Sequence, residues 1–324
     1  MNAVPAPAAR DQSFGSVMTA LAANTTIAVA KGTAAALTGS PALLAETLHT
    51  LADAGNEVFL WVALRRSRRA PDATHPLGYG PERYYWALLA AVGMFIVGGT
   101  LSVWDGVKAL IDPRPLEAFW VGVAVLIIAL VLDSVSRAVA LRQLRRQAAE
   151  RGVTVRQLLR ESPDPTVVTV YLEDSIDVLG AALALVALVL HRTTGSAIPD
   201  ALATIVIGLM LGYVAIKLTR RNRQLLANQA IPDRYIAQLR DRLSATAGVD
   251  GVARLDAIYL GPGEVLVAAD VRMNPALTGD DVAMALAQIR GDAARDLPVI
   301  ARLYLTPVPA DAGQAESSGG SVSS

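Results

Sequence analysis

The chain has 324 residues, 53 % of them apolar and only 18 % charged, against roughly 25 % charged in an average soluble domain. Its 29 basic and 29 acidic residues cancel, which removes the electrostatic basis for nucleic-acid binding, and the lack of cysteine excludes disulfides, thiolate metal sites and cysteine nucleophiles. Any metal site must rest on oxygen donors plus one or two of the three histidines, His49, His75 and His191.

Residues 1–14 have no basic start, apolar run and small-residue cleavage site in succession, so no signal peptide is read and a disordered N-terminus is expected. Six stretches are then long and apolar enough to span a bilayer as helices: Val17–Thr38, Leu43–Leu64, Tyr85–Leu110, Phe119–Leu141, Val167–Leu190 and Ala201–Leu218. The second and fifth are interrupted by carboxylates. Arginine marks alternate connections. Arg65, Arg66, Arg68, Arg69 and Arg83 follow the second stretch, and Arg142, Arg145, Arg146, Arg151, Arg156 and Arg160 follow the fourth. Lys217, Arg220, Arg221 and Arg223 end the sixth, while the other connections hold only Lys108, Arg114 and Arg192. This alternation predicts both termini on the cytoplasmic side.

From residue 224 the pattern changes. Pro232–Thr246 has helical periodicity, Val252–Leu260 and Glu264–Met273 alternate about a Gly261-Pro262-Gly263 turn, Asp280–Ala294 is helical again and Pro298–Leu305 reads as a strand. The predicted fold is thus an all-α six-helix transmembrane bundle (15–223) with a C-terminal α+β domain (224–309), αββαβ and ferredoxin-like in outline. Residues 310–324 read as a disordered tail.

The chemistry lies in the two interrupted stretches. His49 and Asp53 are four apart in the second, on one helical face, and Glu46 and Asn56 continue that stripe. Glu173 and Asp177 are four apart in the fifth. A carboxylate at mid-membrane costs about 2.5–3.5 kcal/mol on the insertion scale. Two helices offering two ligands each can close a four-coordinate site, and a divalent cation there neutralises the charge. The ligands bind metal only when deprotonated, so proton and metal compete for them. Asp174, roughly 100° around the helix from Glu173, is a rival to Asp177 as ligand or a partner behind it. Lys31 is a counter-ion to these acids or snorkels to an interface. Asp133 and Arg137 are spaced to pair, Asp200 to cap the sixth helix, and His191 to sit at the membrane interface. Asp72 and His75, in the loop after the second stretch, are a second, weaker candidate for metal, with turn and capping roles as the alternative.

The segments Leu37-Thr-Gly-Ser40, Leu44-Ala-Glu46 and His49-Thr-Leu-Ala-Asp53-Ala-Gly-Asn56 resemble the second helix of the cation diffusion facilitator family. His75-Pro-Leu-Gly-Tyr79-Gly with Glu82-Arg83-Tyr84 resembles its cytoplasmic loop, and Leu172-Glu-Asp-Ser175 its fifth helix. The resemblance covers about residues 17–307 and is closest to the zinc-transporter-9-like branch. It implies a homodimeric, proton-coupled exporter in a bacterial inner membrane. Its cargo is a divalent metal, zinc first, bound by His49, Asp53, Glu173 and Asp177, and no resident cofactor is expected. Glu173 stands where many zinc members have histidine, which points also toward Mn, Fe or Co. Tyr79 stands where some members have a second loop histidine, and the C-terminal domain has no histidine at all. Two other classes are weighed. One is a membrane scaffold or regulator of the same fold without transport. The other is a membrane enzyme, against which stands the lack of any His-Glu-x-x-His motif or nucleophile–base cluster.

Overall fold

The computed structural model describes residues 13–113, 116, 118–150, 152–161 and 165–309. The readings for residues 1–12 and 310–324 lie outside these. The chain divides into a helical unit ending at Leu226 and a second unit beginning at Ala227.

The helical unit holds α1 (Ser13–Thr38), α2 (Pro41–Ser67), α3 (Glu82–Met94), α4 (Leu101–Ile111), α5 (Phe119–Glu150), α6 (Val155–Glu161), α7 (Pro165–Thr194) and α8 (Ile198–Leu226). A π-helical turn, Phe95–Thr100, joins α3 and α4 into one rod of 30 residues. The Thr100 hydroxyl donates to Phe95 O at 3.1 Å across that wider turn. Among the described residues, four helices are long and apolar enough to cross a membrane: Glu82–Ile111, Phe119–Ala149, Tyr171–Thr194 and Ile198–Leu226. α1 and α2 have 26 and 27 residues, and α2 is made less apolar by its polar stripe. The short α6 was not foreseen: it lies in the arginine-rich connection, where Leu158 packs on Leu144 and Ala148 of α5.

Small residues set the helix contacts. Ala34, Ala35, Ala42, Leu43, Ala45, Leu126, Ala184, Leu188, Ile207 and Leu211 form a core shared by α1, α2, α5, α7 and α8. The α3–α4 rod meets α8 backbone to backbone: a Cβ on Gly99 would stand 3.3 Å from Gly212 Cα, and one on Gly208 2.9 Å from Gly99 O. The Gly208-x-x-x-Gly212 spacing, with Gly99 opposite and Gly106 against Ala201 and Ile205 further along α8, lets the helices approach this closely. Outward faces are apolar, with Trp104, Trp120, Ile128, Leu209 and Tyr213 exposed. In water such faces would be left without partners; lipid satisfies them.

The α1–α2 corner is tight. Gly39, at φ 68°, ends α1, and the Ser40 hydroxyl accepts from Leu43 N at 3.2 Å with Pro41 in the first turn of α2. Asp200 was expected to cap α8. Instead its Oδ1 accepts from the Ser40 hydroxyl at 3.0 Å and from Ala42 N at 3.2 Å, at the start of α2. His191, expected at an interface, is buried, with Nδ1 3.5 Å from Asp200 Oδ2. The starts of α2 and α8 and the end of α7 are therefore tied by one buried carboxylate.

In the second unit, α9 (Asp233–Ser244), β1 (Val249–Gly261), β2 (Glu264–Met273), α10 (Gly279–Asp296) and β3 (Ile300–Val308) follow in the expected αββαβ order. The sheet runs β1-β2-β3, with β1 and β2 antiparallel and β2 and β3 parallel. Alternation places Val265, Val267, Ala269 and Val271 of β2 inward. A capping box between Thr278 and Asp281 starts α10, and the Thr278 hydroxyl and backbone N–H hold the Asp281 carboxyl below its ordinary value.

Candidate metal centre

α2 and α7 run antiparallel and carry their acidic residues toward each other. On α2, His49 and Asp53 occupy successive turns of one face, and His49 Nε2 lies 3.2 Å from Asp53 Oδ2. α7 brings Asp177 Oδ1 into contact with the same Nε2. One ligand atom from each of the three lies within 4.8 Å of the others. His49 is 1 % exposed and Asp53 7 %, while Asp177 is half-buried. Among the described residues, His49 Nδ1 and Asp53 Oδ1 find no hydrogen-bond partner, and the two aspartates share the single nitrogen Nε2. Two carboxylates crowded onto one imidazole nitrogen from two helices are costly unless a cation or protons sit among them.

The remaining sequence-predicted residues stand around this group. Glu173, one turn along α7, is buried, and its Oε1 accepts from Asn56 Nδ2 at 2.9 Å. It is therefore outside the group of three. Asp174 points to α5, where both carboxylate oxygens lie 3.2 Å from the Ser136 hydroxyl. Arg137 reaches across to Ser175 Oγ at 3.2 Å, where a pairing with Asp133 in its own helix had been expected. Lys31 takes the counter-ion option: its Nζ is 3.0 Å from Glu46 Oε2 and 3.1 Å from the Thr50 hydroxyl, fully buried.

Asp72 and His75 are far more exposed. Asp72 Oδ1 accepts from Thr74 N (2.9 Å), the Thr74 hydroxyl (2.7 Å) and His75 N (2.8 Å), and Oδ2 accepts from the Tyr79 hydroxyl (2.7 Å). His75 Nδ1 is 3.9 Å from Asp72 Oδ1, and its ring packs on Tyr79. The Tyr79 and Thr74 hydroxyls and the His75 backbone N–H hold the Asp72 carboxyl well below the usual carboxylate range. The loop itself thus uses both oxygens of Asp72.

Sequence reasoning missed the seat that Gly180 provides. A Cβ at Gly180 would overlap Glu46 Oε1 and stand 3.3 Å from its Cδ. The only sequence signal was that Gly180 lies three residues after Asp177, on the same face.

Comparison with known proteins agrees with this architecture. The family model described as the cation efflux transmembrane domain matches residues 17–227. Metal tolerance protein C4 of Arabidopsis thaliana is 34 % identical over 235 residues, 72 % of this chain and 51 % of that protein. The human mitochondrial proton-coupled zinc antiporter SLC30A9 is 31 % identical over 234 residues, 72 % of this chain and 41 % of that protein. The cation-efflux pump FieF of Klebsiella pneumoniae is 29 % identical over 231 residues, 69 % of each chain. The chain thus spans about half the length of the first two relatives. With its apolar helices and a match over the whole helical unit from residue 17, this chain is a multi-pass membrane protein and belongs to the cation efflux, or cation diffusion facilitator, family.

Proposed function

We propose that the protein exports a divalent metal cation, zinc first, in exchange for protons, with the cargo held between α2 and α7. The observation that carries this reading is the convergence of one ligand atom each from His49, Asp53 and Asp177 within 4.8 Å between two helices. All six long helical rods cross the membrane with both termini in the cytoplasm, as the arginine pattern requires. The chain works as a homodimer.

His49 Nε2, Asp53 and Asp177 supply one nitrogen and two carboxylates. Glu173 is the fourth donor once it gives up the amide of Asn56. This set is harder than a two-histidine site and accommodates Mn, Fe or Co besides zinc. Binding needs both aspartates ionised and Nε2 free of its proton, so cation arrival expels protons and protons arriving from the opposite side expel the cation. Alternating access then turns this competition into exchange. The names of the relatives support the reading: one is a proton-coupled zinc antiporter and another a cation-efflux pump.

The test is transport in proteoliposomes. Uptake of zinc, manganese, cobalt and iron is followed under an imposed proton gradient, with Asp53→Ala in parallel. The expected result is gradient-driven uptake of zinc by the native protein and none by the variant. Equal behaviour of the two for every metal refutes the proposal and leaves a scaffold of the same fold.

A further inference from the structure

The polar stripe between α2 and α7 has three levels. In the middle is the His49–Asp53–Asp177 group. Toward the arginine-rich end, Asn56 and Glu173 close the space with one hydrogen bond. Toward the other end, one turn beyond His49 and Asp177, stand Glu46 and Gly180. The rise of about 1.5 Å per residue puts each roughly 4.5 Å further along its helix. Here the Glu46 carboxylate fills the place of a side chain on α7, because Gly180 has none. Lys31 of α1 and Thr50 hold the assembly from behind.

Stability alone is a poor explanation. A buried ion pair is commonly no more stabilising than apolar residues of the same volume, and the surrounding core of α1, α2 and α7 is otherwise alanine and leucine. Chemistry offers a better one. A carboxylate on the same helical face as His49, lying on the route from the site to the membrane face where α1 ends, is a cation ligand in waiting. The ammonium that holds it is a resident cation of matching charge type.

Resting on the function proposed above, we infer that Glu46 is a relay ligand on the outward path of the cation and that Lys31, with the seat at Gly180, keeps that path closed until Glu46 is released. Lys31 is thus a positioning residue, and Glu46 touches the cargo only in transit.

The experiment uses the full chain in proteoliposomes with zinc as probe, plus zinc binding in detergent by calorimetry. Three proteins are compared with the native one: the neutral near-isosteric double variant Lys31→Met/Glu46→Gln, the reversed pair Lys31→Glu/Glu46→Lys, and Asp53→Ala. The neutral variant is expected to bind zinc within about threefold of native and to turn over at least about tenfold more slowly, a loss in kcat rather than in affinity. The reversed pair restores a buried ion pair but puts a cation on the path, so it too turns over at least about tenfold more slowly. Native turnover by either double variant overturns the inference, as does recovery by the reversed pair alone, which is the signature of a merely structural pair. A parallel loss of binding and transport overturns it as well. If the double variants do not fold, Gly180→Ala keeps both charges and pushes Glu46 off its seat; zinc leak without an imposed proton gradient, with native binding, supports the closed path, and transport as tightly gradient-dependent as native refutes it. Asp53→Ala separates the two claims. If it transports like the native protein, the metal site itself is misassigned. If it is inactive while Lys31→Met/Glu46→Gln is native-like, only the relay fails.

Discussion

Consider adding one methyl group to Gly208, where α8 meets the α3–α4 rod. The new Cβ would stand 2.8 Å from Val103 Cγ2, 2.9 Å from Gly99 O and 2.9 Å from Val103 N. The valine can turn aside, but the other two atoms belong to the backbone of a continuous rod. Restoring ordinary contact means moving the helices apart by roughly 0.5 Å along this seam, which overpacking data value at about 1–3 kcal/mol. Gly93, in the same rod, is the control: a Cβ there meets nothing within 4 Å, and alanine gains up to about 1 kcal/mol of helix propensity. The assay is unfolding in mixed micelles followed by tryptophan fluorescence, to which Trp104, beside Val103, contributes. Gly208→Ala should lower stability by about 1–3 kcal/mol while Gly93→Ala is neutral or stabilising. If Gly208→Ala falls within about 0.5 kcal/mol of native, or Gly93→Ala loses as much, the close seam is wrong.

Three further outcomes are expected. Asp53→Asn should weaken zinc binding in calorimetry by more than the roughly 10–100-fold that loss of an outer partner costs, whereas Asp174→Ala should stay within about threefold because that carboxylate faces Ser136; a larger loss for Asp174→Ala than for Asp177→Ala reverses the assignment on α7. Ser40→Ala removes both the α2 cap and a donor to Asp200 and should cost about 1–2 kcal/mol in the same unfolding assay, with no loss meaning that Asp200 holds the corner alone. The Asp72 carboxyl is held below its unfolded value of about 3.9, so its contribution is fully present above that pH and is lost only on falling through the depressed folded value. Amide exchange of residues 72–80, corrected for intrinsic rates, should therefore be flat between about pH 5 and 7 and faster throughout in Asp72→Asn; a step in that range for the native protein contradicts the hydrogen bonding of the loop.

Local pattern sufficed for much of this. The His49–Asp53 pair follows from a four-residue spacing on one helix, which no tertiary contact can undo. The β1–β2 hairpin follows from alternation around Gly261-Pro262-Gly263, and β2 begins and ends where the pattern placed it. Partner choice between helices was not legible. Spacing left Asp174 and Asp177 as rivals, placed Arg137 with Asp133, and assigned Asp200 to its own helix. Each of these questions turns on how far a helix is rotated about its axis, and that angle is set by packing. Rotation of α7 sends Asp177 to His49 and Asp174 to Ser136, and the bare backbone of Gly180 admits Glu46 between helices. The chain alone determined which residues could carry a cation, because helical periodicity is a short-range property. Only the tertiary structure decided which of them meet, because that depends on glycine and alanine contacts between segments more than a hundred residues apart in the chain.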